Sequence, residues 1–306
     1  MSGGQLRDAA DGTPDGRVSP LPLTWLYAPG DRPDVVRKAL TSGAHVVIVD
    51  LEDAVAPDRK EYALRATAEL LADPRPGPVP VHVRVNALDG PLSAAEVRSL
   101  AALPGLAGLR LPKVDGAADV VRVARWARAV HAGDREAVPA AAGVPALYAL
   151  LESALGIENA FTVATAHPAV RGIALGEADL RAVLGVTGEA GLAWPRSRAV
   201  VAAHAAGLDP PPQSVYPDVS DSEGLARSCA AGRSLGFLGR TAIHPCQLEI
   251  IERAYLPSPQ EVEAAEEVLK AAATGAGALA LPDGRFVDAA VVAGAQRTLA
   301  LARRRP

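Results

Sequence analysis

The chain has 306 residues, of which 49% are hydrophobic and 22% charged, and its formal net charge is −4. This composition is ordinary for a globular protein and excludes a largely disordered chain. The mixed, slightly acidic charge argues against a nucleic-acid partner, and two cysteines are too few for a disulfide scaffold or a thiolate metal cluster. The length fits two average domains or one α/β barrel with an extra segment.

The first 20 residues are polar and lack the apolar segment of a secretory signal. They are therefore predicted to form a disordered tail over residues 1–20. No apolar run approaches the ~20 residues that a membrane-spanning helix needs. We expect a cytoplasmic protein with no membrane partner.

From residue 21 onward, short β-branched runs alternate with segments of helical period. Eight such runs predict parallel strands, and eight strands joined by helices close a (β/α)8 TIM barrel, an α/β fold. No long polar linker interrupts this pattern before residue 250, which favours one barrel over two domains. The strands are predicted over residues 23–28, 45–51, 79–85, 108–112, 145–151, 170–175, 213–217 and 238–243, and the helices over 33–42, 59–72, 94–103, 117–132, 157–166, 196–206 and 223–235.

The pattern changes after the eighth strand. Helices are predicted over residues 246–255, 259–274 and 291–303, with a turn at 281–288, and Ser258 is placed to cap the second helix. The barrel is therefore predicted to span residues 21–256. Residues 257–306 form a C-terminal helical segment, for which a mobile lid over the barrel mouth is a natural role.

In such a barrel, catalytic groups follow the carboxyl ends of the strands. Here these positions carry mostly acids, with one arginine and one lysine. Acids crowded at one mouth are costly unless a cation lies among them, and carboxylates with few histidines favour Mg²⁺ over zinc. Glu152 and Asp179, which follow adjacent strands, are the expected ligand pair. The side chains at these positions are Asp50, Glu52, Asp53, Arg84, Asn86, Lys113, Glu152, Glu177, Asp179, Tyr216, Asp218 and His244.

Each of these residues also has an ordinary structural interpretation. A single acid at a strand end more often caps a helix or forms a salt bridge than takes part in catalysis. Asp50 and Asp53 are candidates for such pairing with Arg84 or Arg32, and His244 is readily explained as a turn residue. The functional interpretation depends on several strand ends converging on one charged pocket.

Seven motifs lie at or beside these strand ends: YAPGDRP at 27–33, DLEDAV at 50–55, VRVN at 83–86, LPKV at 111–114, LESALG at 151–156, GEADL at 176–180 and AIHP at 242–245. Together they resemble the CitE-like (citrate lyase β-subunit-like) branch of the HpcH/HpaI aldolase/citrate lyase superfamily, over nearly all of residues 21–300. The resemblance implies a Mg²⁺-dependent barrel, usually a homotrimer or a dimer of trimers. Such a protein makes or breaks a carbon–carbon bond beside a thioester.

The resemblance also implies roles for individual residues. The family's metal ligands correspond to Glu152 and Asp179, the pair already expected from the strand ends. In the CoA lyases a C-terminal acid closes over the active site, often from the neighbouring subunit, and Asp288 matches it. The catalytic residues expected on this basis are Asp288, Arg84, Glu52 and Asp53, and the substrate-binding residues are Arg84, Arg32, Asn86, Lys113 and Ala178.

The expected reaction is the reversible cleavage of a 3-hydroxyacyl thioester, such as malyl-CoA or citramalyl-CoA, to acetyl-CoA and a 2-oxo acid (glyoxylate, pyruvate or oxaloacetate). Arg84 would hold the substrate carboxylate, and Asp288 would exchange a proton with the thioester enolate. Four alternatives stay open. They are a citrate lyase subunit acting on citryl groups of an acyl-carrier protein, a malate-synthase-like enzyme or thioesterase, a Schiff-base aldolase using Lys113, and a non-catalytic ligand-binding relative.

Overall fold

The computed structural model describes residues 21–129, 143–273, 279–281 and 284–303. Contacts divide the chain into two compact units, which split between Ile251 and Glu252. The split falls inside the helix Leu248–Tyr255, whereas the sequence pattern places it after residue 256. The tail predicted over residues 1–20 lies outside the described residues.

The first unit is a TIM barrel, and its described residues form a sheet of seven parallel strands. They are β1 (Thr24–Pro29), β2 (Val46–Asp50), β3 (Val81–Arg84), β4 (Leu106–Leu111), β5 (Leu147–Leu151), β6 (Val170–Leu175) and β7 (Arg240–Ala242). Their order is β6-β5-β4-β3-β2-β1-β7, so consecutive strands lie side by side and β7 returns to β1. Every residue of β2 is buried, as expected for a parallel strand that is covered on both faces. Each of these strands was predicted, with bounds shifted by a few residues.

The strand predicted over residues 213–217 is reduced to a single parallel bridge between Gln213 and Arg240. Arg240 Nε also donates a hydrogen bond to Ser214 O at 2.8 Å, so a side chain replaces part of the backbone pairing. Prolines at residues 210–212 and at Pro217 flank this segment. Because proline has no N–H to donate, a regular ladder cannot extend in either direction.

The helices of this part of the chain follow the predicted pattern with two differences. The single helix predicted over 157–166 is two short helices, and the helix that begins at Glu177 was not predicted. Leu180, Val183 and Leu184 of that helix have the i, i+3, i+4 spacing of an apolar stripe, although only Glu177 and Leu180 are buried. The helices are α1 (Pro33–Leu40), α2 (Lys60–Leu71), α3 (Ser93–Leu100), α4 (Ala117–Arg128), α5 (Ala154–Glu158), α6 (Ala160–Ala164), α7 (Glu177–Leu184), α8 (Ala193–Ala205), α9 (Ser222–Ser234) and α10 (Leu248–Tyr255).

An aromatic and cationic cluster fills part of the barrel. Tyr148 stacks on His82 with ring centroids 4.6 Å apart, and the buried Arg110 guanidinium lies 5.3 Å from the centroid of the Tyr148 ring. The ring has space because the neighbouring strands carry glycine, and a Cβ on Gly108 or Gly172 would lie 2.8 or 3.0 Å from it. Burial lowers the pKa of His82, so its imidazole is neutral beside Arg110.

The second unit contains α11 (Pro259–Ala272), α12 (Ala289–Ala302) and an antiparallel pair, β8 (Leu279–Ala280) with β9 (Phe286–Val287). Ser258 caps α11 as predicted, in a reciprocal capping box with Glu261. The core of this unit is small and contains Ala265, Val268, Leu281, Val287 and Ala295. Within the described residues of both units, no helix is long and apolar enough to cross a bilayer.

Candidate active site

Arg84, at the carboxyl end of β3, is surrounded by acids at the end of β2 and just after it. Its Nε and Nη2 donate to the two carboxylate oxygens of Asp50, each at 2.7 Å. Its Nη1 lies 3.1 Å from Glu52 Oε2 and 3.3 Å from Asp53 Oδ2. The structural pairing considered for Asp50 is therefore present. The two hydrogen bonds to Asp50 use two of the five guanidinium N–H groups of Arg84 and leave three for other acceptors.

Lys113 connects two acids that lie far apart in the chain. Its Nζ donates to Glu52 Oε1 at 2.8 Å, and its backbone N donates to Glu152 Oε2 at 3.0 Å. The hydrogen bond that Lys113 donates to the Glu52 carboxylate raises the pKa of Lys113. A Schiff-base nucleophile must be a neutral amine, so this environment argues against the aldolase alternative.

Glu152 and Asp179 line one cavity of about 370 Å³ together with Lys113. Glu152 directly follows β5 and is 4% exposed, whereas Asp179 lies in the first turn of α7. A Cβ on Gly176 would overlap the Glu152 carboxylate, so this glycine provides the space that the acid occupies. A second cavity, of about 490 Å³ and lined by residues of α1 and α2, contains none of the predicted site residues.

The acids of the mouth repel one another. Burial, and then the charges of Glu52 and Asp179, raise the pKa of Glu152 to about 8. Burial likewise raises the pKa of Glu52, and Glu52 Oε2 receives no hydrogen bond despite its proximity to Arg84. The residues described around this mouth therefore leave negative charge unneutralised.

This donor set fits Mg²⁺. Among the described residues, no three Asp, Glu, His or Cys side chains form a ready metal cluster. Mg²⁺ does not need one, because it commonly takes one or two carboxylates and keeps water or substrate oxygens at its other positions. Glu152 and Asp179 can supply those two carboxylates, and a divalent cation beside them would offset the repulsion that raises the pKa of Glu152.

The predicted substrate contacts differ in what they still offer a ligand. Arg32 is exposed and has no ion pair with another described residue. Ala178 is exposed at the second position of α7, where a backbone N–H has no partner within the helix. Asn86 is buried, and its amide nitrogen donates to Leu51 O and to Glu96. Only the Oδ1 atom of its side chain therefore remains for a substrate.

Two other sequence candidates have ordinary local roles in the structure. Asp288 belongs to the second unit, where its carboxylate accepts a hydrogen bond from Val291 N at 3.0 Å and caps α12. The catalytic role expected for it stays a prediction. His244 Nδ1 accepts a hydrogen bond from Cys246 N at 3.2 Å, which fits its interpretation as a turn residue.

Two residues that shape the site were given no catalytic, binding or metal role by the sequence analysis. Tyr27, on β1, lies beneath Arg84, with the guanidinium 5.0 Å from its ring centroid. Glu177 forms a buried two-point pair with Arg196, at 2.7 and 2.5 Å, and thereby fixes the start of the helix that carries Asp179. The available signals were weak. Tyr27 lies two positions after Trp25 on β1, the spacing of side chains on one face of a strand. Glu177 lies two positions before Asp179.

The fold and these acids can be compared with known proteins. The model of the HpcH/HpaI aldolase/citrate lyase family matches residues 23–245. This chain belongs to that family. A second model, described as a carbon–carbon bond lyase of the TIM-barrel fold, matches residues 201–301. Membership in the HpcH/HpaI aldolase/citrate lyase family confirms the resemblance stated from the motifs.

Relatives within this family carry more than one activity in their names. A (3S)-malyl-CoA thioesterase of Cereibacter sphaeroides is 36% identical over 287 residues, covering 90% of this chain and 93% of the relative. An L-malyl-CoA/β-methylmalyl-CoA lyase of Rhodobacter capsulatus is 32% identical, covering 87% of this chain and 90% of the relative. The crystal structure of CitE from Mycobacterium tuberculosis with magnesium, acetoacetate and coenzyme A is 31% identical, with a TM-score of 0.77, covering 92% of this chain and 98% of that one.

Proposed function

We propose that this protein is a Mg²⁺-dependent lyase that reversibly cleaves a 3-hydroxyacyl thioester, such as malyl-CoA or citramalyl-CoA, to acetyl-CoA and a 2-oxo acid. The proposal is carried by one observation. Three acids, Glu52, Glu152 and Asp179, lie close to one another and to Arg84 at one mouth of the barrel. The lyase relative and the magnesium- and CoA-containing CitE structure support it. When bound by Glu152 and Asp179, Mg²⁺ supplies Lewis-acid stabilisation of the negative charge that develops on the substrate oxygen.

Arg84 and the start of α7 orient the substrate in this proposal. Asp50 fixes the plane of the Arg84 guanidinium before any substrate arrives, and the three remaining N–H groups can bind a carboxylate. The free backbone N–H of Ala178 in the first turn of α7 offers a further donor to an anionic group. Arg32, exposed and without an ion pair in the described structure, is assigned to the thioester carrier.

The proton transfer is assigned to Asp288. The substrate hydroxyl loses its proton to solvent, and its oxygen forms the carbonyl of the released 2-oxo acid. The electron pair of the broken carbon–carbon bond stays on the α-carbon of the thioester as an enolate. Protonation of that carbon by the Asp288 carboxylic acid gives the acetyl thioester, and the reverse transfer starts the condensation. The lid role expected for residues 257–306 belongs to the same proposal, since a closed site would keep water from the enolate.

Thioester hydrolysis is the second candidate, and the 36% identical thioesterase relative favours it. The two reactions share a substrate but give different products. From malyl-CoA, the lyase releases glyoxylate and keeps the thiol esterified as acetyl-CoA. Hydrolysis releases malate and a free CoA thiol, so an assay of both products separates them.

The test is to incubate the purified chain with malyl-CoA and with citramalyl-CoA, each with Mg²⁺ and with excess EDTA. The oxo acid is measured as its hydrazone, and the free thiol with a chromogenic disulfide. We expect EDTA-sensitive release of oxo acid, lost in Asp179→Asn, with no equivalent release of thiol. Equal thiol and malate without oxo acid would establish the thioesterase instead. If folded, Mg²⁺-binding protein released neither oxo acid nor thiol from either ester, both candidates would be contradicted. Carrier-bound citryl substrates or a binding role would then be favoured.

The oligomeric state belongs to the same proposal, as a homotrimer or a dimer of trimers. Large apolar side chains are exposed on helices near the cavity, and Val183 also lines it. Monomeric proteins seldom leave clustered apolar side chains exposed, so these helices suit a subunit interface. Light scattering on the wild type and on Val183→Glu tests this assignment, with dissociation expected for the variant. The exposed residues are Leu155 on α5, Val183 and Leu184 on α7, and Trp194 and Val201 on α8.

A further inference from the structure

Lys113 has a backbone conformation that its residue type does not favour. Its φ is +52°, and it is the sole non-glycine residue with positive φ in the described part of the chain. A side chain with a Cβ rarely adopts this left-handed region. Such a conformation persists only where the surrounding structure holds it. The backbone conformation of Lys113 therefore calls for a structural explanation.

The contacts of Lys113 supply that explanation. Its Nζ is 2.8 Å from Glu52 Oε1, and Glu52 is itself buried and 3.1 Å from Arg84 Nη1. Directly after it, Val114 N donates to Leu150 O at 3.1 Å and returns the chain to the barrel. Lys113 is thus fixed at its side-chain end by an ion pair and at its backbone end by the next residue.

We propose that Lys113 is a positioning residue for Glu152. The ion pair with Glu52 holds its backbone in the left-handed region, and that conformation directs its N–H at Glu152 Oε2. The inference rests on the proposed assignment of Glu152 as a Mg²⁺ ligand. It deepens that assignment by naming what orients the ligand, and it replaces the substrate contact expected for Lys113.

The consequence for Glu152 is a carboxylate that is hydrogen-bonded at one oxygen and packed against the backbone at the other. Lys113 N donates to Oε2 at 3.0 Å, and Oε1 lies against the backbone of Gly176, where a Cβ would overlap it. Groups that orient a ligating carboxylate are commonly worth about 10- to 100-fold in metal affinity. The effect of Lys113 is therefore measurable by Mg²⁺ binding, without any turnover.

Two substitutions distinguish the effect of the Lys113 backbone conformation on Mg²⁺ binding from the effect of its side-chain charge. Lys113→Met and Lys113→Gly both remove the ammonium group, so their electrostatic effects on Mg²⁺ binding are equal. Methionine has a Cβ and leaves the left-handed region once the ion pair is gone, whereas glycine occupies that region at no steric cost. Lys113→Gly should therefore keep the N–H on Glu152, and Lys113→Met should lose it.

The experiment is calorimetric titration of the full chain with MgCl₂. We expect Lys113→Gly to bind Mg²⁺ at least about tenfold more tightly than Lys113→Met, and to keep the higher kcat of the two. Lys113→Ala also has a Cβ and serves if Lys113→Met does not fold, as judged by thermal unfolding. Equal Mg²⁺ affinities in the glycine and Cβ-containing variants, beside a wild type that binds Mg²⁺, would overturn the inference alone. A folded wild type that binds no Mg²⁺ would overturn the metal site and, with it, the inference.

Discussion

Asp50 holds the Arg84 guanidinium from one side, through two hydrogen bonds of 2.7 Å to its Nε and Nη2. Both side chains are nearly inaccessible to solvent, at 2% and 12% exposure. When one member of such a pair is removed, the other charge stays desolvated and uncompensated. The orientation of Arg84 is therefore a property of the folded barrel and precedes substrate binding.

Replacing Asp50 by asparagine should destabilise the barrel strongly. The substitution leaves Arg84 buried without its two-point partner, and breaking a buried pair in this way typically costs about 3–5 kcal/mol. Asp53→Asn is the matched control, because Asp53 approaches the same guanidinium but is 61% exposed, and exposed pairs contribute about 1 kcal/mol or less. Urea denaturation measures the free energy of unfolding of both variants. Equal losses of stability in the two variants would contradict the role assigned to Asp50 as the buried partner of Arg84.

Mg²⁺ binding should strengthen as pH rises. With a pKa of about 8, Glu152 is mostly protonated at neutral pH in the metal-free protein, so the cation must displace that proton. Below this pKa, the affinity should increase about tenfold per pH unit, and above it the dependence should level off. Calorimetry at pH 6.5 and 7.5, in buffers of different ionisation enthalpy, should show release of about one proton per Mg²⁺. Affinity that does not change with pH would rule out a protonated Glu152.

The stability of the metal-free protein should change with pH in the opposite direction. The pKa of Glu152 is raised from 4.5 to about 8, so between these values the folded state binds more protons than the unfolded state. The contribution of Glu152 to the free energy of unfolding is therefore greatest below pH 4.5 and is lost as pH rises towards 8. Burial raises the pKa of Glu52 and Glu96 in the same direction. Thermal unfolding should show a smaller loss over this range for Glu152→Gln than for the wild type, and parallel curves would argue against the shift.

Gly172 should resist substitution because of the Tyr148 ring. An alanine Cβ there would lie 3.0 Å from the ring, and overpacking of a filled core typically costs about 1–3 kcal/mol. Gly188 provides the control, since its φ of −128° suits alanine and nothing lies within 4 Å of a Cβ built on it. Denaturation should show a loss for Gly172→Ala and almost none for Gly188→Ala. An unchanged Gly172→Ala would mean that the barrel interior has unused space.

Asp288→Asn should separate proton transfer from metal binding. Asparagine caps a helix about as well as aspartate, so α12 should be preserved. It cannot serve as the carbon acid or base, and the loss of such a group typically costs about 10²- to 10⁴-fold in rate. We expect that loss in carbon–carbon cleavage with unchanged Mg²⁺ affinity. Full activity in the variant would remove Asp288 from the mechanism.

Much of the barrel follows from local patterns. The strands before Glu52, Arg84, Lys113, Glu152 and Asp179 were predictable because β-branched runs and helical periods depend on neighbouring residues alone. Their ends then had to meet at one mouth, because all strands of a parallel barrel point the same way. Two local patterns misled. The segment at 213–217 resembles a strand but is flanked by prolines that have no N–H to donate, and α7 shows apolar residues at helical spacing but is only eight residues long.

The chemistry of individual site residues depends on distances that no local pattern contains. Arg84 and Asp50 are 34 residues apart in the chain, Lys113 and Glu152 are 39 apart, and Lys113 and Glu52 are 61 apart. The sequence was enough to list these acids and cations and to predict that a cation belongs among them. Which acid pairs with Arg84, why a lysine adopts a left-handed backbone, and why Glu152 holds a proton near neutral pH follow from folding. Desolvation and Coulomb interactions act through space, so they take effect only once the barrel has brought these side chains together.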